Sequence, residues 1–117
     1  MAVLTQTSLA GTGAKTNTEG TLTASDTFTY TQGTGQRLRL RNTTAGALTP
    51  NLVGAAAVST VYPDGATVNY AAGLTLASIP ATTGDVTIIL DRIPAYLAGG
   101  TVTITGGTGI KYVLDSL

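Results

Sequence analysis

Three arginines at alternate positions, Arg37, Arg39 and Arg41, are the densest group of chemically capable side chains in this sequence. On an extended strand, positions i, i+2 and i+4 project from one face about 6.8 Å apart, which makes a row of guanidinium groups. Such a row can be a solvated outer face, or it can dock on an acidic protein surface, where the planar guanidinium is favoured over an ammonium. Gripping nucleic acid requires a basic domain with aromatics among the basic side chains. Here six Lys and Arg are balanced by six Asp and Glu, and no aromatic interrupts the row. No nucleic-acid partner is expected, which leaves the solvated face and the docking face as the two readings of the row.

Other chemistry is scarce. The chain has no His and no Cys, so the commonest general base, the commonest metal ligand and the thiolate nucleophile are all missing. Ser8, Ser25, Ser59, Ser78 and Ser116 stand in no motif with Lys15 or Lys111. The acids Glu19, Asp26, Asp64, Asp85, Asp91 and Asp115 are scattered, most of them at turns or strand ends, where capping accounts for them. The segment GTGAKT (residues 11–16) has glycines and a lysine in the wrong spacing for a phosphate-binding loop. No Asp-x-Asp calcium pattern occurs. The reading is therefore no catalytic residues, no metal and no cofactor: a protein that binds and does not catalyse. Asn42-Thr43-Thr44 fits the glycosylation sequon, but no secretory signal precedes it, and the expected place of synthesis is a cytoplasm. No apolar run is long enough to span a bilayer, so no membrane role is expected.

The elements that would position these residues are β-strands. Thr makes up about one residue in five and alternates with Val, Ile, Leu, Tyr and Phe, a composition suited to half-buried strands and poor for helices. Fifteen Gly and four Pro divide the chain into short pieces. Residues 3–9 read as one strand. Residues 11–20 form a polar arm or loop. Residues 27–31 and 36–42 read as a hairpin across Gly33-Thr34-Gly35, with Phe28, Tyr30, Leu38 and Leu40 inward and the arginines outward. Residues 51–60 form a strand that packs close to another backbone, and Tyr62-Pro63-Asp64-Gly65 is a turn. Residues 66–70 and 74–79 are strands, and 86–90, the most apolar, is a central one. Residues 94–98 form a single helical turn, and 101–105 with 110–114 read as a last hairpin. The predicted core adds Ile88, Leu90, Val102 and Ile104. The sum is an all-β antiparallel sandwich or barrel of about eight short strands, with an extended N-terminal arm. Residues 1–25 are the strand and arm, and 26–117 the sandwich body.

The C-terminal block IPAYLAGGTVTITGGTGI (residues 93–110), together with the cysteine-free, low-charge, Gly/Thr/Ala-rich style of the chain, resembles the small capsid decoration (cement) proteins of tailed bacteriophages. The resemblance implies a β-rich module on the outer capsid surface of a virion. Its partner would be the major capsid protein, with trimers near local three-fold axes. On that reading the residues expected to meet the partner are Val3, Leu4 and Leu9 on an exposed strand edge, Lys15 in the arm, and Arg37, Arg39 and Arg41. The alternatives are a head–tail or tail component, or a receptor- or carbohydrate-binding β-module.

Overall fold

The computed structural model describes residues 2–117. In chain order the strands are β1 (Ala2–Val3), β2 (Gln6–Ser8), β3 (Gly20–Thr21), β4 (Ser25–Thr29), β5 (Arg37–Arg41), β6 (Asn51–Gly54), β7 (Ser59–Val61), β8 (Thr67–Asn69), β9 (Leu74–Thr75), β10 (Asp85–Ile89), β11 (Thr101–Thr105) and β12 (Lys111–Ser116). One sheet has the order β1-β4-β11-β6-β9 and the other β10-β5-β12-β2, with β3 also on β12. A separate two-stranded ribbon joins β7 to β8. Helical structure is confined to 3₁₀ turns at Tyr70–Ala72, Leu90–Arg92 and Pro94–Leu97. No helix among the described residues is long and apolar enough to cross a membrane.

The expected all-β architecture is present, and the period-2 pattern explains it. In β5, Leu38 and Leu40 are buried while the arginines between them reach outward. Phe28, Val102 and Ile104 from one sheet meet Leu38, Leu40, Tyr112 and Leu114 from the other in a single core. Each fully buried Leu or Phe side chain removes enough apolar surface to contribute about 1.5–3 kcal/mol. Of the predicted core, only Ile88 is not fully buried. The close backbone approach occurs at Gly54, where a Cβ would lie 2.4 Å from the carbonyl oxygen of Ala98.

Several connections differ from the sequence reading. Residues 27–31 and 36–42 do not make a hairpin: β4 pairs with β11 and β1, whereas β5 pairs with β10 and β12. The 30–36 segment therefore carries the chain from one sheet to the other. The side chain of Gln36, wholly buried, takes the place a neighbouring strand would have. Its Oε1 accepts the Thr31 N–H (2.6 Å) and its Nε2 donates to the Thr29 carbonyl (2.8 Å). The last predicted hairpin also proves to be a crossing, with β11 in one sheet and β12 in the other. Leu22 pins that second turn, its N–H donating to Ile110 O and its carbonyl accepting from Gly109 N.

The strand expected at 3–9 is split. Ala2–Val3 runs parallel to β4, Gln6–Ser8 runs parallel to β12, and Leu4 between them is buried at 6% exposure. No extended N-terminal arm is seen: residues 10–19 are an exposed loop between β2 and β3, tied to β12 at both ends. The apolar strand at 86–90 lies at an edge of its sheet and not at its centre, because its partners on the far side are missing: β10 pairs with β5 alone. The strand expected at 74–79 shrinks to Leu74–Thr75, with Ile79 held by an isolated bridge to Leu48.

Candidate functional site

The outer face of the β10-β5-β12 sheet gathers most of the chain's charges. Cross-strand register sets Asp115 directly opposite Arg37 and Asp85 opposite Arg41. Arg37 Nε donates to Asp115 Oδ1 at 2.9 Å. Arg39 makes a bidentate pair with Asp85, at 3.0 and 2.6 Å, the planar fork matching the carboxylate. Arg41 donates to Glu19 at 2.7 Å, which fastens the end of the 10–19 loop across this face. The Arg39 hydrogen bonds hold the Asp85 carboxyl below its usual range, and Asp85 in turn raises the arginine. Between the loop and the strands lies a groove of about 340 Å³ lined by Asn17, Glu19, Arg37, Arg39, Thr87, Val113 and Asp115.

The row predicted from the sequence is thus real, and its neutralisation is what the sequence reading missed. Glu19, Asp85 and Asp115 are far from the arginines along the chain, and only strand register brings them together. Pairs this exposed stabilise only weakly, because water and salt screen them. Their effect is to cancel the row's attraction for an acidic surface. Among the described residues no group of three or more acids could hold a metal ion. Asn42 of the sequon is fully buried, its side chain bonded to the Gly46 and Ile79 carbonyls and to Thr44. It builds a turn and is closed to a glycan.

The other sequence candidates scatter. Val3 is 78% exposed at the edge of the opposite sheet, and Leu4 belongs to the interior, so neither shares the arginine face. Leu9 is half-buried, its N–H bonded to Ser116 O. Lys15 is exposed on the 10–19 loop.

A second candidate surface was not marked by the sequence. The β7-β8 ribbon turns at Tyr62-Pro63-Asp64-Gly65 as expected, with Gly65 at φ +87° and its N–H donating to Tyr62 O. Val58, Val61 and Tyr62 are exposed at 63%, 70% and 41%. The ribbon is braced by a hydrogen bond between the hydroxyl of Tyr62, in its turn, and that of Tyr70, which follows β8, and by edge-to-face packing of Tyr70 on Tyr96 (4.8 Å, 78°). That hydroxyl contact, with burial secondary, raises the Tyr70 phenol above its ordinary value. A Cα radius of gyration of 14.7 Å, against about 13 Å for a compact chain of this length, is consistent with a body that carries projections. Exposed valines beside the linked tyrosines Tyr62, Tyr70 and Tyr96 match the composition of a protein-contact patch, where aromatics are enriched and charge is depleted. Alternation in 59–61 and 67–69 resembles any half-buried strand, so nothing in the sequence distinguishes this ribbon from the body. Compared with protein-family models, curated proteins and solved structures, the chain matches none of them.

Proposed function

We propose that this protein is a structural, non-enzymatic component of a bacteriophage virion that coats the capsid by binding the major capsid protein and bridging neighbouring subunits. The observation that carries the reading is the apolar ribbon: Val58, Val61 and Tyr62 exposed on a braced hairpin outside the two-sheet body. The likeness of residues 93–110 to decoration proteins and the self-neutralised arginine face support it. With the charges paired internally, attachment relies on apolar and backbone contacts, and the interface is moved from the N-terminal segment to the ribbon. Weak contacts suffice when many copies bind only the assembled shell, since each stabilises it by RT ln(1 + [L]/Kd). The test is co-sedimentation with shells that lack the protein, comparing the wild type with Val61→Asp. Retention of the wild type and loss of at least ten-fold in occupancy for the variant is the expected result. No retention of the wild type, with binding to a glycan array instead, would replace this reading by the carbohydrate-recognition alternative.

A further inference from the structure

Strand β10 presents an open edge whose chemistry complements itself. Asn42 N–H donates to Gly84 O and Leu90 N–H to Gln36 O at the two ends of the β10-β5 ladder. With the register Val86↔Leu40 and Ile88↔Leu38 between them, the even-numbered residues exchange the hydrogen bonds of an antiparallel pair. The N–H and C=O groups of Asp85 and Thr87 and the N–H of Ile89 therefore point away from β5, and no strand among the described residues pairs with that edge. The Ile89 carbonyl, at the N-cap of the 3₁₀ turn Leu90–Arg92, accepts that turn's first hydrogen bond. At five residues β10 is the longest open edge; β1 and β9, the edges of the other sheet, have two each. It lacks the devices that usually blunt an edge, having no Pro, no Lys and an unbroken register. Its inward side chains, Val86 and Ile88, remain only half-buried, and Ile89 is 39% exposed.

We infer that two copies of this chain pair through β10 in antiparallel register about a two-fold axis at Thr87. That register sets Thr87 against Thr87 and Val86 against Ile88 of the second copy, both favourable cross-strand pairs. It uses the outward-pointing groups of each edge in about four hydrogen bonds, two between the facing Thr87 residues and one from each Ile89 N–H to the facing Asp85 carbonyl, since the Ile89 carbonyls are engaged in their own 3₁₀ turns. Asp85 faces Ile89 of the second copy, so the two acids stand apart by four strand positions, about 13 Å and beyond a Debye length. Arg92, which has no ion pair among the described residues, follows Ile89 by three residues, at the end where Asp85 of the second copy arrives. Opposite charges meet there and like charges do not. The two four-stranded paths then form one continuous sheet. This contact is independent of the attachment proposed above.

Sedimentation equilibrium of the full chain tests it. The wild type should show a monomer–dimer equilibrium. Thr87→Lys, which opposes two ammonium groups on the axis, should weaken it at least ten-fold while leaving the circular dichroism spectrum unchanged. Because the chain has no cysteine, Thr87→Cys gives a second reading. Facing residues of a hydrogen-bonded pair lie about 5.5 Å apart at Cα, within disulfide reach. Thr87→Cys should therefore oxidise to a covalent dimer at least ten-fold faster than Thr108→Cys, which lies on an exposed turn. A monomeric wild type, a dimer or trimer insensitive to Thr87→Lys, or equal cross-linking of the two cysteine variants would overturn the inference.

Discussion

The turn at Gly33-Thr34-Gly35 and the turn at Pro63-Asp64-Gly65 end on the same residue type and have opposite outcomes. Both are short, glycine-punctuated and flanked by alternating strands, yet the first carries the chain between sheets and the second folds it back on itself. The difference lies in what the flanking strands bury. Phe28, Tyr30, Leu38 and Leu40 are all enclosed, and two strands with such inward faces cover each other best when placed on opposite sheets. Val61 and its neighbours have nothing to cover, so backbone pairing in a ribbon is the best they can do. The crossing turn needs extra anchors in compensation. Asp91 supplies them, accepting the Tyr30 hydroxyl (2.7 Å) and the Gly33 and Gly35 amides (3.0 Å each), while Gln36 closes the end of β4. The ribbon turn needs only Asp64, which accepts the Ala66 amide.

That contrast can be broken most forcefully in the core. Leu40→Ala should cost about 2–5 kcal/mol in chemical denaturation, as expected for a fully enclosed leucine. Val61→Ala should fall within about 0.5 kcal/mol of the wild type, as surface changes do. Similar losses for both would mean that the ribbon is packed as tightly as the body. Gln36→Ala should come next, at about 1–3 kcal/mol, because it empties a fully buried position and breaks the part-buried bonds to the Thr31 amide and the Thr29 carbonyl. A cost near zero would show that water or a shift of β4 replaces the side chain.

The smallest effect is the sharpest in pH. The Tyr30 hydrogen bond, followed by the Gly33 amide, holds the Asp91 carboxyl below its usual range. Its folded value lies below the unfolded ~3.9, so its contribution is complete above about pH 5 and is lost as pH falls through the folded value. Burial first, and Asp91 second, push the Tyr30 phenol up to about 12. That contribution is complete below the unfolded ~10 and disappears as pH rises through the folded value. Thermal melts across pH should therefore show losses on both flanks. Asp91→Asn should lower the neutral Tm by a few degrees and flatten the acid flank in part, since Asp85 is also held low by Arg39. An unchanged acid flank would remove Asp91 from its role as the anchor of the crossing turn.

How much of this was legible beforehand depends on range along the chain. Alternation in 27–31 and 36–42 identified the buried faces, and Tyr62-Pro63-Asp64-Gly65 announced its turn, because side-chain direction in a strand and positive φ at glycine are local properties. The missing His and Cys excluded the chemistry that depends on them without any coordinates. The candidate site was half legible: the arginine row was visible, but the acids that cancel it were not.

Composition and period alone determined that this chain is all-β, which face of each long strand is inward, and which reactions lack their usual residues. Tertiary structure decided that the turns at 33–35 and 106–109 cross between sheets, that Val86 and Ile88 sit at an edge, that Leu4 is core, and that the arginines are already paired. A period of two specifies a face but not a sheet. The choice of sheet, like the partner of a charge, is made by residues tens of positions away, whose approach only the packed core can enforce.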